Sequence, residues 1–229
     1  MKKRTLLFTA AIAALSFSAC TDAPESDTAT TSDAKAAATA AGEAYTVDPA
    51  ASKIEWIGTK VTGHHQGSLA IKSGTINVEN GSVASGEFVL DMTSIMVTDG
   101  DDTASNNKLK GHLLSPDFFD AAGHPEGKFV VTSVQPFSGT VTDSSDKAQE
   151  GISKYKVTDP THTISGNLTL KGVTKNVTFP AKVTVTGNSI DALAKFNINR
   201  KEWGIVYAGQ PDDLIRDHIH LGISLKANK

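Results

Sequence analysis

Cysteine is almost absent from this chain of 229 residues, which contains Cys20 and no other. A single cysteine excludes an intrachain disulfide framework and any zinc site built on paired cysteines. Beyond the N-terminus, no apolar run approaches the roughly 18 residues that a membrane-spanning helix needs. The net charge of −3 argues against nucleic acid as a partner, because proteins that bind it normally carry a basic patch or stripe.

Catalytic and metal-binding motifs are also missing. The chain has no G-x-S-x-G, H-E-x-x-H or G-x-G-x-x-G string, which are the signatures of a hydrolase, a zinc protease and a dinucleotide-binding fold. His218 and His220 share a strand face, but that face is the polar one and offers no thiolate and no clear carboxylate ligand. We therefore predict solvated histidines and no metal site. The acidic run Asp99–Asp102 lacks the spacing of a calcium-binding loop and is interpreted as a solvated loop.

The first twenty residues have the organisation of a bacterial secretory signal. A basic start, Lys2–Arg4, precedes the apolar run Leu6–Leu15, which is too short to span a membrane, and small residues follow as far as Ala19. Cys20 stands directly after them, where it looks like the acylated cysteine of a lipoprotein, although Phe17 occupies the position where leucine is usual. The alternative is an ordinary cleaved signal in which this cysteine is incidental.

The sequence divides into three parts. We predict a lipoprotein signal peptide at residues 1–19, a flexible tether with the lipidated Cys20 at residues 20–43, and a β-barrel domain at residues 44–229. The tether is rich in Ala, Thr, Ser and Asp, so it cannot bury enough apolar surface to offset the entropy of ordering, and we expect it to be dispensable for folding. A helix at Ala34–Ala41 is the weaker alternative. The expected location is the cell envelope, as an outer-membrane or periplasm-facing lipoprotein of a Gram-negative-type bacterium.

From Tyr45 onward, apolar residues recur with a period of two, which is typical of half-buried strands. The last strand shows this most clearly, with one face formed by Ile219, Leu221, Ile223 and Leu225. About eight or nine such strands predict an all-β fold, and antiparallel sheets of this kind close into sandwiches or into barrels that hold side chains or one small ligand. Only Ser105–Leu114 is predicted as a helix, and residues 138–151 form a polar excursion.

Several strings in this region are more specific than the periodicity. They are, in chain order, D-M-T-S-I at Asp91–Ile95, S-P-D-F-F-D at Ser115–Asp120, G-N-L-T-L-K-G-V-T at Gly166–Thr174 and N-R-K-E-W-G-I at Asn199–Ile205. With these strings, the chain from Tyr45 to Lys229 resembles the YceI family of secreted bacterial lipid-binding proteins. The resemblance implies a lipocalin-like antiparallel closed barrel whose elongated apolar cavity holds a polyisoprenoid or a similar long lipid.

A cavity of this kind needs inward-facing apolar strand positions rather than a catalytic pair. The candidates for its wall are Trp56, Phe88, Ile95, Leu113, Phe119, Phe129, Leu168, Leu170, Phe196, Ile198 and Trp203. Which alternate set of strand residues faces inward depends on the register, and a slip of one residue inverts it. The polar candidates for the cavity mouth are Lys108, His112, Asp117 and Arg200.

These features together favour binding over catalysis. We expect a membrane-anchored carrier or sequestering protein for an isoprenoid or another long-chain lipid, with no cofactor. An enzyme would need a working polar cluster at the cavity mouth. A ligand-free, stress-associated or adhesion-like surface module with a filled barrel is the remaining alternative, and pairing of two barrels into a homodimer is left open.

Overall fold

The computed structural model describes residues 23–139 and 154–229. The predicted signal peptide, Cys20 and most of the predicted excursion at 138–151 lie outside the described residues. The strands of the described chain are β1 Thr30–Asp33, β2 Glu43–Val47, β3 Lys53–Lys60, β4 Gly63–Glu79, β5 Ser82–Val97, β6 Glu126–Pro136, β7 His162–Leu170, β8 Val173–Val185, β9 Ser189–Asn199, β10 Gly209–Gln210 and β11 Asp213–Asn228. The helix α1 (Thr103–Leu114) connects β5 to β6, and a 3-10 turn, Arg200–Trp203, follows β9.

Eight of these strands close into a barrel. Each pairs antiparallel with the next in the order β3, β4, β5, β6, β7, β8, β9 and β11. The ring closes where β11 returns to β3, with Leu221 opposite Trp56. The predicted all-β, antiparallel closed barrel of about eight strands is therefore confirmed.

The alternation of the last strand corresponds to the two faces of the barrel wall. Its apolar residues line the interior, as predicted, and they are Ile219, Leu221, Ile223 and Leu225. On β3, Ile54 and Trp56 point to the same interior, while Lys53 and Glu55 between them are exposed. Because side chains alternate along a regular strand, the apolar and the polar residues of β3 and β11 lie on opposite faces of the barrel wall.

The acidic residues before α1 have structural partners. Asp102 is the N-cap of the helix, because its carboxylate accepts hydrogen bonds from the amides of Ala104 and Ser105. Asp99 accepts a hydrogen bond from the amide of Gln66 at 2.7 Å and pairs with the imidazole of His65. The helix therefore begins two residues before the predicted start, and Asp99 connects the preceding loop to β4. No helix within 23–139 and 154–229 combines the length and the apolar character that crossing a membrane requires.

Part of the predicted flexible tether lies in the sheet instead. β1 pairs antiparallel with β8, with Thr30 opposite Thr178 and Asp33 opposite Lys175. Residues 34–41 are not helical. The composition of this segment did not indicate a strand, because the pairing is made by backbone groups and needs no large apolar side chains. Removal of β1 would leave backbone groups of β8 without these partners. We therefore expect this part of the segment to contribute to stability, in contrast to the prediction of a dispensable tether.

His220 is buried, with 4% of its surface exposed, whereas the sequence predicted a solvated histidine. Two short segments cover the outer face of the barrel here. The His220 Nδ1–H donates to Asn197 Oδ1 at 2.9 Å, and its ring packs edge-on against Tyr155, with 5.4 Å between centroids. Asn197 Nδ2 in turn donates to the carbonyl of Pro24, and the Ser26 hydroxyl donates to the carbonyl of Tyr155. The alternation correctly predicted that His220 faces away from the barrel interior. It could not show that the segments containing Pro24 and Tyr155 cover this part of the outer face.

The burial of His220 should make the stability of the protein depend on pH. Burial lowers the pKa of His220 from 6.5 to about 4, with Lys195 acting in the same direction and Glu55 opposing it. In the unfolded chain His220 binds a proton below about pH 6.5, whereas in the folded chain it binds one only below about pH 4. The free energy of unfolding therefore decreases as the pH falls from 6.5 to 4. We predict a decrease of about 2 kcal/mol between pH 7 and pH 5 from this residue, measured by urea unfolding.

The variant His220→Gln should lose this part of the pH dependence. His218→Gln is the matched control on the same face of β11 and should retain the wild-type difference between the two pH values. An unchanged pH dependence in His220→Gln would contradict the assignment.

Candidate ligand-binding cavity

A cavity lies within the barrel. Its volume is about 420 Å³, within the range of roughly 300–1,000 Å³ that small-molecule sites occupy. All eight barrel strands contribute inward-facing residues to its wall, together with α1 and the loop after the 3-10 turn. Most of these side chains are aliphatic or aromatic, so the wall favours an apolar occupant.

The structure places all eleven predicted wall residues on this cavity. On β7 the inward set is the one that the alternation favoured, with Leu168 and Leu170 both buried. Phe196 and Ile198 of β9 are also buried against the interior, and Leu113 reaches it from α1. Their contact with a ligand stays a prediction, but their common location does not depend on a ligand.

Four phenylalanines form a band across one side of the wall. Phe88 of β5 lies 6.1 Å from Phe129 of β6, measured between ring centroids, and Phe129 lies 6.0 Å from Phe179 of β8. Phe179 stacks on Phe196 of β9 at 4.0 Å with an angle of 11° between the rings. Gly166 leaves the space for this band, since a Cβ atom there would lie 2.1 Å from the ring of Phe129. A side chain at Gly166 would displace that ring.

The 3-10 turn after β9 contributes a fully buried tryptophan. Trp203 has no exposed surface, and its Nε1–H donates to the backbone carbonyl of Leu168 at 2.9 Å. This bond satisfies the indole in an apolar setting and ties the turn to β7. Gly204 ends the turn at a φ of 71°, a left-handed conformation that glycine adopts without strain.

Arg200, one of the predicted polar residues of the cavity mouth, lies on the cavity wall, but its guanidinium is buried and bound to backbone carbonyls. Its side chain is 1% exposed, and its guanidinium donates to the carbonyls of Ile205, Ile215 and Arg216. Burial lowers the pKa of Arg200, and Asp217, 3.8 Å away, opposes this effect. The planar guanidinium has several donors, which suits it to hold three backbone carbonyls at once. Arg200 therefore fixes the loop and the start of β11 to each other.

Of the other three mouth candidates, the structure brings only His112 to the cavity wall. Its ring packs edge-on against Phe118 and Tyr207, with centroid distances of 4.9 and 4.6 Å. Asp117 Oδ2 lies 3.6 Å from His112 Nε2, but this carboxylate is largely exposed. Lys108 is exposed on α1 and does not line the cavity. Of the four mouth candidates, His112 and Arg200 therefore lie on the cavity wall, and the imidazole of His112 packs against two aromatic rings.

The polar side chains of Lys60 on β3, His65 on β4 and Asp213 on β11 also line the cavity, and each has a carboxylate or cationic partner. Lys60 Nζ lies 2.5 Å from Asp213 Oδ2, and His65 pairs with Asp99. The hydrogen bond from Lys60, together with those from Thr62, lowers the pKa of the Asp213 carboxyl. These pairs leave the interior wall itself mainly apolar.

Phe179 and Tyr207 also line the cavity but were not among the predicted wall residues. Phe179 lies on β8, whose alternation would have revealed it once its partner strand was known. Tyr207 lies in the irregular loop between the 3-10 turn and β10, where no periodicity marks an inward position. In the described ranges, no three residues among His, Cys, Asp and Glu come together as a metal site would require.

Comparisons with known proteins agree with this architecture. The model of the YceI-like domain family matches residues 45–227. BcnA from Burkholderia cenocepacia has a similar structure, with a TM-score of 0.59 and 20% identity, covering 80% of this chain and 99% of BcnA. A polyisoprenoid binding domain from Saccharophagus degradans has a TM-score of 0.56 and 16% identity, covering 80% of this chain and 97% of that domain. At these identities the two structures show the shared fold alone.

No curated protein matches the chain. The family match extends over all eight barrel strands, α1 and the 3-10 turn, and so includes the elements that build the cavity. The resemblance seen in the sequence strings is confirmed. The chain belongs to the YceI-like domain family.

Proposed function

We propose that the barrel binds one long-chain apolar lipid, a polyisoprenoid or a similar molecule, as a carrier or sequestering protein. The observation that carries this proposal is the cavity of about 420 Å³ with its aliphatic and aromatic wall. The Saccharophagus degradans domain with the same fold is a polyisoprenoid binding domain, which supports the same class of ligand here.

The wall supplies the free energy that such binding needs. Each methylene group transferred from water to an apolar site contributes about 0.8 kcal/mol, so a tail of about ten such groups gains roughly 8 kcal/mol before the costs of ordering. No hydrogen bond to the tail is required. The aromatic band of Phe88, Phe129, Phe179 and Phe196 offers flat, rigid contact surface to an unsaturated chain.

The cavity favours binding over the two alternatives. A filled barrel would leave no space of this size, because protein interiors normally contain few voids larger than a water molecule. An enzyme would need a cluster of reactive groups directed at a ligand, whereas Arg200 holds backbone carbonyls, Lys60 pairs with Asp213, and His112 packs against aromatic rings. We therefore assign the protein a binding role rather than a catalytic one.

We further propose that the protein is a lipoprotein anchored at Cys20 in the cell envelope. The support is the sequence, in which this lone cysteine follows a basic start, an apolar run and small residues. Ala23, close after it, is already buried against the barrel. An anchor at Cys20 would therefore hold the barrel near the membrane surface, since an extended residue spans at most about 3.6 Å.

Native mass spectrometry of the freshly purified protein tests the binding role. We predict a lipid adduct in a ratio of one to one, lost after unfolding in organic solvent and restored by adding a polyprenol. The adduct should survive gentle ionisation because the cavity encloses it. A protein that purifies free of lipid and takes up no polyprenol would contradict the proposal.

Enlarging one wall residue separates a ligand cavity from a filled core. In Leu168→Trp the larger side chain should occupy the cavity and abolish the adduct, while the melting temperature stays within roughly 3 °C of wild type. Overpacking a filled core would instead cost about 1–3 kcal/mol. Thr163→Trp, which faces outward on the same strand, is the matched control and should keep the adduct. Retention of the adduct by Leu168→Trp would place the lipid elsewhere.

Cell fractionation tests the anchor. Wild-type protein should be found in the membrane pellet, and Cys20→Ser should move to the soluble fraction, because the acyl chains have no other attachment point in the chain. Thr21→Ser is the control and should remain in the pellet. Equal amounts of wild type and Cys20→Ser in the pellet would exclude anchoring through this residue.

A further inference from the structure

The barrel wall has a seam between β8 and β9. Their ladder of paired residues runs from Val185 opposite Ile190 to Ala181 opposite Ala194 and ends there. Phe179 and Phe196 would form the next inward-facing pair, two residues further along, and their rings stack on each other where the ladder has ended. Beyond this point the backbones of β8 and β9 no longer bond to each other.

The N-terminal segment fills this seam. On one side, the amide of Asn197 in β9 donates to the carbonyl of Asp27 at 2.7 Å, and the amide of Ala29 donates to the carbonyl of Asn197 at 2.9 Å. On the other side, Thr30–Asp33 pairs with β8. Ala29 faces the core and is 6% exposed. The segment is thus a piece of the wall rather than a cover laid over a complete wall.

Asparagine side chains hold the same segment from outside the barrel. Asn197 Nδ2 donates to the carbonyl of Pro24, and Asn167 exchanges two hydrogen bonds with the backbone of Lys35. The amide of Ala38 donates to the carbonyl of Val131 on β6. We call residues 23–38, which these contacts attach to the barrel, the strap.

The strap is attached mainly by backbone and polar contacts rather than by buried apolar side chains. It contributes no large apolar side chain, and its buried hydrophobic residues are Ala23 and Ala29. Segments held by few apolar contacts and by backbone bonds near the surface open at lower free energy than core strands. The strap also precedes residue 45, where the family match begins, so the matched barrel domain does not include it.

We propose that the strap is a displaceable part of the cavity wall, and that its release opens the seam at Phe179 and Phe196 as a lateral passage for the lipid. This inference rests on the proposed lipid-binding function. The residues that border the seam from inside are Val177, Phe179, Phe196 and Ile198, and all of them line the cavity. The ladder between β8 and β9 has five residue pairs, and the strap supplies the backbone partners of both strands beyond it, so release of the strap widens this join.

A disulfide that locks the strap tests the proposal. Thr30 and Thr178 stand directly opposite each other in antiparallel strands, at a Cα separation that a disulfide can bridge. The full chain carries Thr30→Cys and Thr178→Cys together with Cys20→Ser, so that only the two introduced thiols are present. The probe is cis-parinaric acid, whose fluorescence reports binding, and stopped-flow displacement by excess oleic acid gives its dissociation rate.

The oxidised protein should release the probe roughly tenfold or more slowly than the reduced protein, because the seam cannot open. Its equilibrium affinity should change little, since a gate slows entry and exit together. A second cross-link, Asp191→Cys with Lys226→Cys, joins β9 to β11 at an existing ladder position and should leave the rate unaffected. Equal release rates for the oxidised and reduced strap cross-link would overturn the strap proposal while leaving lipid binding intact.

A failure of every variant to bind the probe or a polyprenol would instead overturn the proposed function and the lipid passage with it. Hydrogen exchange tests displacement of the strap without any ligand. The Ala29 amide should exchange well before the Leu221 amide in the β9–β11 ladder, by a path other than global unfolding. Exchange of the Ala29 amide only through global unfolding would show that the strap is a fixed strand and would refute the proposal.

Discussion

The pairing of β11 with β3 is the constraint on which the rest of the structure depends. With Leu221 opposite Trp56 the sheet is closed, and the inner faces of eight strands enclose one interior. The sequence places apolar residues at those positions and polar residues between them. The cavity, the aromatic band and the inward position of Leu168 all follow from this single closure. An open sheet with the same alternation would have needed a second layer to cover its apolar face.

Closure alone does not leave a cavity, because inward residues could have filled the space. The arrangement of Phe129 shows how this is avoided: Gly166 gives its ring room to lie against the neighbouring strand. Trp203 is hydrogen-bonded to β7 through the carbonyl of Leu168, and the guanidinium of Arg200 donates its hydrogen bonds to backbone carbonyls. Large side chains are thus fixed along the wall, and the lipid proposal follows from the space that they enclose.

The sequence was sufficient for the parts of the fold that depend on periodicity. The barrel was predicted from the period of two and from the family strings, and the eleven predicted wall residues lie on the cavity, while their contact with a ligand stays a prediction. The same reasoning missed β1, because a strand formed by Thr30–Asp33 against β8 needs only backbone bonds, which composition does not reveal. It misjudged His220 and Arg200 for a related reason: a strand pattern tells inside from outside, but whether a polar residue is then covered depends on segments distant in the chain.

The central claim is that the interior of the barrel, and no outer surface, receives the lipid. Methyl-detected NMR of the labelled protein during titration with a polyprenol tests it most directly. We expect shifts and lipid contacts at inward methyl groups such as those of Leu168 and Ile198. The methyl groups of Val173 and Leu214, which are exposed, should not respond. Shifts confined to the exposed methyl groups, with Leu168 and Ile198 unchanged at saturation, would contradict the account.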